Sequence, residues 1–264
     1  MSAGADRRPS KAEIWLLGAA GLATFFGLWA AVSGFGLVSP RFLPSPAAVA
    51  ARAFFLLDHP FAGASLPVHV LSSLGRYALG FLLAACIGVP LGLLMGWYRL
   101  LDDMVTPIFD ALRFIAPIAW VPFAALWFGT GIGGPIMVIF AGAFPPCLIN
   151  AYRGARFVDI KFLEAARTLG ASNLRIILEV LLPASVPSIV SGLRVGAGLG
   201  WQSLVGAELI VASSGVGYMM VQGQSAVSTT TVVSGMIAIG IVGYLVDLML
   251  RKLQAVTQRR RGLA

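Results

Sequence analysis

Three ionisable side chains, Arg76, Arg194 and Glu208, fall within or at the ends of long apolar stretches of this chain. A charge inside a membrane span costs free energy, so such a residue is a candidate for gating or for the passage of a solute. Arg194 and Glu208 are 14 positions apart, about 21 Å along a helix, which is too far for a direct ion pair. We therefore predict that Glu208 pairs with Arg76, either in a gate or in a structural ion pair.

Pro145, Trp201 and Gln202 are further candidates for a translocation path. Proline lacks an N–H group, so Pro145 and Pro146 are expected to kink or break their helix. Broken helices commonly line a path across a membrane, although a kink can also serve packing alone. Gln202 and Arg194 could meet an anionic solute, whereas the neighbouring Trp201 suits packing better.

The side chains that usually carry catalysis or bind metals are few and scattered. Cys86 and Cys147 lie in apolar runs without CxxC spacing, and His59 and His69 are isolated from them. No GxxxxGK[ST] motif occurs, and no lysine follows a glycine, so the chain lacks the loop that cradles ATP phosphates. We predict no enzyme activity, no metal site and no bound cofactor.

A charged segment from Asp159 to Pro183 interrupts the apolar sequence and reads DIKFLEAARTLGASNLRIILEVLLP. Asp159 is placed to cap a helix over 160–169, and Gly170 can end that helix in the left-handed conformation. Ser172 can then cap a second helix that stops at Pro183. We predict a helical hairpin that docks onto a partner; an ordinary amphipathic surface hairpin is the alternative.

The remaining sequence is typical of a membrane protein. Hydrophobic residues make up 58% of the chain and charged residues only 11%, and the mean hydropathy of +0.87 excludes an ordinary soluble domain. Apolar runs long enough to cross a bilayer predict six spans at roughly 14–34, 77–96, 114–129, 132–152, 189–211 and 232–250. The third is interrupted by Pro117 and Pro122 and could be re-entrant instead.

Basic residues between these spans indicate an orientation, because short cytoplasmic loops collect Lys and Arg. The basic regions are Arg7, Arg8 and Lys11, then Arg99, then 153–175, and finally 251–261. Placing them on one side makes both termini cytoplasmic. The net charge of +8 then reflects orientation and anionic lipid headgroups, and we predict no nucleic-acid partner.

Small residues recur at every fourth position in two spans. They are Gly80, Ala84, Gly88, Gly92 and Gly96 in the second span, and Gly192, Gly196 and Gly200 in the fifth. Such rows allow helices to pack closely, within one chain or between two copies. We favour packing within the chain for the second span.

The hairpin resembles a known motif. The residues EAA at 164–166, G at 170 and VLLP at 180–183 are similar to the EAA loop of the permeases of binding-protein-dependent ABC importers, EAA-x3-G-x9-I-x-LP, with Val180 in place of the usual Ile. Further segments resemble the taurine, aliphatic sulfonate and nitrate branch: LPSP at 43–46, PIAWVPFAALWFGTG at 117–131, FPP at 144–146, SGLRVGAGLGWQSLVGAEL at 191–209 and SSGVGY at 213–218.

The resemblance implies an all-α membrane protein of the MetI-like fold, a single permease domain in the bacterial cytoplasmic membrane. Segment 159–183 would be the coupling-helix loop, seated on a cytoplasmic ATPase. The implied coupling residues are Glu164, Ala165, Ala166, Gly170, Leu182 and Pro183. A second permease copy, two ATPase subunits that bind ATP and Mg, and an extracytoplasmic solute-binding protein would complete the importer.

The sequence leaves the solute open. An aliphatic sulfonate, taurine or nitrate fits the resembled branch, and a thiamine-precursor pyrimidine, riboflavin or another small organic molecule is the alternative. A secondary transporter independent of ATP is a remote alternative, because such carriers commonly show related halves, and we find no internal repeat.

Overall fold

The computed structural model describes residues 10–259, whose regular secondary structure is helical apart from one isolated β-bridge between Phe61 and Ala64. The helices in chain order are α1 (Lys11–Gly34), α2 (Pro46–Asp58), α3 (Leu66–Trp97), α4 (Arg99–Leu112), α5 (Val121–Phe128), α6 (Gly133–Arg156), α7 (Ile160–Thr168), α8 (Asn173–Ile176), α9 (Leu182–Val211), α10 (Val216–Ser225) and α11 (Thr229–Arg259). A short 3-10 turn, Pro117–Trp120, precedes α5. The predicted all-α class is confirmed.

Five helical segments within the described residues are long and apolar enough to cross a membrane. They are Ala12–Gly34, Leu66–Trp97, Gly133–Arg156, Asn173–Val211 and Thr229–Lys252. A sixth is present only if α4 and the segment Pro117–Phe128, which are bent by 87° relative to each other, are counted as one span. Of the basic residues used above to infer orientation, Arg7, Arg8, Arg260 and Arg261 lie outside the described residues.

The predicted third span, 114–129, is not one continuous α-helix but contains the 3-10 turn Pro117–Trp120 and α5. Its helical part begins only at Pro117, and α4 lies before it as a separate helix. Ala116 has a ψ of 138°, outside the helical range, as expected for a residue that precedes a proline. Pro117 therefore separates α4 from the segment Pro117–Phe128, in agreement with the interruption expected from this proline.

The predicted helix stop at Pro183 is wrong. Helix α8 passes through a π-helical turn, Ile177–Leu181, directly into α9. Within this turn Leu182 N–H donates to the carbonyl of Ile177, five residues earlier. Proline is tolerated in the first turn of a helix, and the π turn shifts the hydrogen-bond register just before Pro183 so that it occupies such a position. The second helix of the hairpin and the fifth predicted span are thus one continuous 39-residue helical segment, Asn173–Val211.

Helix α6 forms the centre of the bundle, with α3 and α9 packed against it. A Cβ atom built at Gly80 of α3 would lie 2.7 Å from Ile139 Cβ, and one at Gly196 of α9 would lie 2.9 Å from the Ala143 carbonyl oxygen. The close packing predicted within the chain for the glycine row of α3 is confirmed. The row on α9 has the same role.

Helix α6 continues through Pro145 and Pro146, so the break predicted there is absent. Pro146 is buried, and its carbonyl accepts a hydrogen bond from Asn150 Nδ2 at 2.9 Å. Packing of α3 and α9 against α6 holds the helix together despite the two missing N–H donors.

The peripheral helices are attached less extensively. In α1 none of the residues of the apolar window is buried. Helix α2 is capped by Ser45, which accepts from Ala48 N–H, and it is tied to α11 by a hydrogen bond of 2.9 Å from Arg52 Nε to Thr231 Oγ1. Helix α10 lies in the uncharged segment between α9 and α11.

Candidate functional site

The charged segment forms the hairpin predicted for it. Asp159 Oδ1 accepts from Lys161 N–H at 3.0 Å at the start of α7, and Ser172 Oγ accepts from Arg175 N–H at 3.4 Å at the start of α8. Gly170 between them has a φ of 76°, a left-handed conformation that glycine adopts at little cost. The helix α7 ends at Thr168, one residue before the predicted end.

The side chains at the tip of the hairpin point away from the helix bundle and are largely exposed. Glu164 and Ala165 are exposed and Ala166 is half-buried, and α7 has no buried residue. Large apolar side chains are exposed beside them, including Phe162 and Leu169, the latter 87% exposed. Of the six predicted coupling residues, Leu182 and Pro183 lie apart from this tip and are half-buried at the start of α9.

The base of the hairpin is joined to the bundle. Ile176 and Leu181 are buried, and Leu181 packs with Leu93 of α3 and Ala151 of α6. The Arg167 guanidinium lies 5.8 Å from the ring centroid of Trp97, the last residue of α3. Movement of the hairpin would therefore act on α9 through a continuous helix and on α3 through this cation–π contact.

The predicted partners Arg76 and Glu208 form an ion pair, with Arg76 Nη1 2.9 Å from Glu208 Oε1. The two residues are only 5% and 2% exposed. The Glu208 carboxylate also accepts from Ser73 Oγ at 2.8 Å and from Gly217 N–H at 3.0 Å. Three donor groups, two from α3 and one from the first turn of α10, thus converge on one buried carboxylate, as burial of a charge requires.

The same face of α3 holds the turn between α9 and α10. Arg76 donates to the carbonyl of Ser214 at 2.7 Å and to its hydroxyl group. His69 Nδ1 accepts from Gly215 N–H at 3.2 Å, and its Nε2 faces the Phe61 carbonyl at 2.9 Å, so the neutral ring with the proton on Nε2 satisfies both partners. We call Glu208, Arg76, Ser73, His69 and the turn 214–217 the ion-pair cluster.

Two neighbouring recesses lie beside the middle of α6. One, of about 320 Å³, is lined by Pro145, Gln202 and residues of the bend between α4 and α5. The other, of about 340 Å³, is lined by Asn150 and Arg153 of α6. Both recesses share the lining residues Arg113, Pro145, Pro146 and Leu199. We call the two together the α6–α9 groove.

The other predicted path residues lie outside this groove. Arg194 Nε is 3.1 Å from Asp247 Oδ1 of α11, which supplies the partner that the sequence left unidentified. Trp201 packs edge-on against Tyr77, with ring centroids 5.2 Å apart. The structure therefore separates the six candidates into Pro145 and Gln202 in the groove, Arg76 and Glu208 in the ion-pair cluster, and Arg194 and Trp201 in contacts with neighbouring helices.

Residues 88–262 match a family described as binding-protein-dependent transport system inner membrane component. The chain belongs to this family. It is a multi-pass inner-membrane protein and a transport subunit.

Characterised relatives agree with this permease family. The chain is 35% identical over 234 residues to the taurine transport system permease protein TauC of Escherichia coli, covering 88% of this chain and 85% of TauC. It is 35% identical over 210 residues to the nitrate import permease protein NrtB of a Synechocystis species, covering 78% and 76%. It is 34% identical over 262 residues to the bicarbonate transport system permease protein CmpB of Synechococcus elongatus, covering 94% and 93%.

A solved structure of the MetNI methionine ABC transporter in an inward-facing conformation contains a chain of the same fold as this permease. The TM-score is 0.63 and the sequence identity 20%, and the match covers 73% of this chain and 95% of that chain. At this identity the likeness concerns the fold alone, and it agrees with the MetI-like architecture expected from the EAA loop.

Several residues of the permease site were missed in the sequence. Ser73 and His69 stand three and seven positions before Arg76, on the same helix face, so helical periodicity could have indicated them. Ser214 offered no comparable signal, since it meets Arg76 only through the fold. In the described part of the chain no group of three His, Cys, Asp or Glu side chains is placed to hold a metal.

Proposed function

We propose that this permease is the translocation subunit of an ATP-driven importer for a small oxyanion. The observation that carries the proposal is the exposed hairpin of α7 and α8, whose EAA sequence sits at the tip while its second helix continues into α9. This arrangement could transmit a conformational change from a cytoplasmic ATPase to the membrane helices. The relatives named above are proteins of taurine, nitrate and bicarbonate transport, and each of these solutes carries an oxyanion.

ATP and Mg would bind to a separate ATPase subunit, because this chain has no phosphate-binding loop motif. Two such subunits beneath two copies of the permease, with a solute-binding protein on the outer side, complete the proposed importer. Glu164 and the apolar side chains around it would contact the ATPase, where a charge-assisted hydrogen bond from a basic group could hold the carboxylate. Membrane lipids are the remaining partners.

We infer an orientation in which the hairpin and both termini are cytoplasmic, because the hairpin and the end of α11 are rich in Lys and Arg, as cytoplasmic segments of membrane proteins are. The ion-pair cluster then lies towards the outer side. Closure of the ATPase dimer would move the hairpins, and α9 would carry that movement towards Glu208. Transport would follow alternating access, with hydrolysis returning the path to its starting state.

Uptake into proteoliposomes tests the proposal. The permease, its cognate ATPase and its binding protein would be supplied with taurine, longer alkanesulfonates, nitrate, bicarbonate and a pyrimidine vitamin precursor. We expect ATP-dependent uptake of one oxyanion and its loss in Glu164→Arg, because the reversed charge disrupts the contact at the hairpin tip. Uptake of the pyrimidine alone would replace the oxyanion class, and uptake without the ATPase would indicate a secondary carrier.

A control variant separates coupling from folding. Lys161 is exposed on the same helix as Glu164, so Lys161→Glu changes charge on α7 to the same extent and in the opposite direction. We expect Lys161→Glu to keep more of the uptake than Glu164→Arg. Equal loss in both variants, with normal assembly, would assign the effect to general charge on α7 and not to the EAA sequence.

A further inference from the structure

Arg113 has an unusual place for a cation in this fold. It follows α4 directly, at the bend before Pro117, and it lines both recesses of the α6–α9 groove beside Pro145. Pro145 lies at the middle of α6, a helix long enough to cross a membrane. A guanidinium at this level is costly in a membrane protein, and residues of this kind usually line a solute path.

The residues that line the groove offer hydrogen-bond donors for an anion. Two guanidinium groups, from Arg113 and Arg153, line it together with the amides of Gln202 and Asn150, and no carboxylate is among the described residues of its lining. Low-dielectric walls of Pro145, Pro146 and Leu199 strengthen the field of these cations. The lining of the groove therefore carries cationic and amide donors and no carboxylate among its described residues.

The Arg113 side chain is held in place by its neighbours, but these contacts do not use all of its N–H donors. Its Nε lies 2.8 Å from Asp110 Oδ1, in a pair whose side chains are 35% and 49% exposed, and such open pairs are weak. Its guanidinium carbon also lies 4.7 Å from the ring centroid of Phe114. The guanidinium has five N–H donors, so the pair through Nε leaves the terminal amino groups able to bind a second oxyanion.

We propose that Arg113 binds the solute oxyanion within the translocation path, together with Gln202. Arg153 forms a second binding site, nearer the hairpin. This rests on the proposed function, in which the solute is a small oxyanion. The planar fork of arginine matches two oxygens of a sulfonate, nitrate or bicarbonate group. Binding at two moderate sites in succession lets the anion both enter and leave, which one tight site would prevent.

The first test compares Arg113→Gln, Arg113→Lys and Arg99→Gln in the complete complex. Arg99→Gln is the matched control, because it removes one positive charge from the first residue of α4, which is exposed and lies outside both recesses. We expect Arg113→Gln to lower the initial uptake rate at limiting solute by about tenfold, the effect of losing one charge-assisted contact. Arg113→Lys should lie between it and the wild type.

ATP hydrolysis stimulated by the binding protein is measured on the same samples. The proposal expects the rate of ATP hydrolysis to stay within about twofold of the wild type while uptake falls. A twofold change corresponds to a free energy smaller than that of one hydrogen bond. Unchanged uptake in Arg113→Gln overturns the proposal, and so does an equal loss of uptake and hydrolysis, which would indicate a structural role. A wild type that takes up no oxyanion fails the proposed function itself, before any variant is compared.

A second test changes the charge at position 113 within a single variant, so that the comparison is not affected by differences in folding between variants. Arg113→Cys is made with Cys86→Ser, because Cys86 is exposed whereas Cys147 is buried. Aminoethyl methanethiosulfonate then adds a cation at position 113, and sulfonatoethyl methanethiosulfonate adds an anion of similar size. Restoration of uptake by the cation alone supports the proposal, and equal effects of both reagents overturn it.

Discussion

The Glu208 carboxylate illustrates how one residue can organise the contacts of several elements. It accepts from Arg76, Ser73 and Gly217 N–H in an environment from which water is excluded. An ion pair buried in this way gives up much of its attraction to desolvation, but removal of one partner leaves the other charge uncompensated. The geometry also explains Gly217, since a Cβ atom there would lie 2.6 Å from Glu208 Cβ.

Glu208→Ala should therefore destabilise the protein by about 3–5 kcal/mol, because the buried Arg76 guanidinium loses its counter-charge. The measurement is thermal unfolding of the purified permease in detergent. Glu179→Ala is the control, since it removes an exposed partner of Arg175 and should cost at most about 1 kcal/mol. Similar losses in the two variants would mean that the cluster contributes no more than a surface ion pair.

At the level of elements, the separation of the central helices is set by the glycines of α3 and α9. Gly80 and Gly75 lie on the same helix, but they differ in what surrounds them. A side chain at Gly80 would enter the space of Ile139, whereas a Cβ atom at Gly75 would meet no described atom within 4 Å. Alanine substitutions at these two positions therefore distinguish the effect of helix propensity on stability from the effect of helix packing.

Gly80→Ala should destabilise the bundle by about 1–3 kcal/mol through overpacking. Gly75→Ala should be neutral or stabilising by up to about 1 kcal/mol, because alanine favours a helix over glycine. Thermal unfolding under the same detergent conditions compares them. If Gly75→Ala proved the more harmful, Gly75 would have to contact a partner and α3 would not be confined to packing within the chain.

At the scale of the whole molecule, the fold places the hairpin and the ion-pair cluster at opposite ends of the same helix, α9. The hairpin is at one end of α9, and the ion-pair cluster is near the other. The helix α9 and its extension join them without interruption. A displacement at the hairpin can therefore reach the turn 214–217, which Glu208 and Arg76 hold.

Cysteine labelling tests the inferred orientation of the whole molecule. Val227, between α10 and α11, and Lys161, in α7, are both exposed. With Cys86→Ser as background, Val227→Cys should react with a membrane-impermeant maleimide in intact spheroplasts, and Lys161→Cys only after permeabilisation. Labelling of Lys161→Cys in sealed cells would reverse the orientation and place the hairpin outside.

The sequence by itself determined the features that depend on neighbouring residues. Apolar runs defined the membrane class, and the caps Asp159 and Ser172 with Gly170 between them defined the hairpin, because capping and left-handed turns are local interactions. The EAA spacing, read on that hairpin, indicated the family. The Arg76–Glu208 pair was predictable because a buried acid needs a counter-charge at the same depth.

Only the tertiary structure decided the features that depend on distant contacts. Ser73 and Glu208 are 135 positions apart, and nothing local to either residue specifies their meeting. Continuity through Pro183 depends on a π turn, and the bend at Pro117 places Arg113 beside Pro145. Local propensity states where a helix can begin or end, but packing against other helices decides which of these ends is used and what each side chain faces.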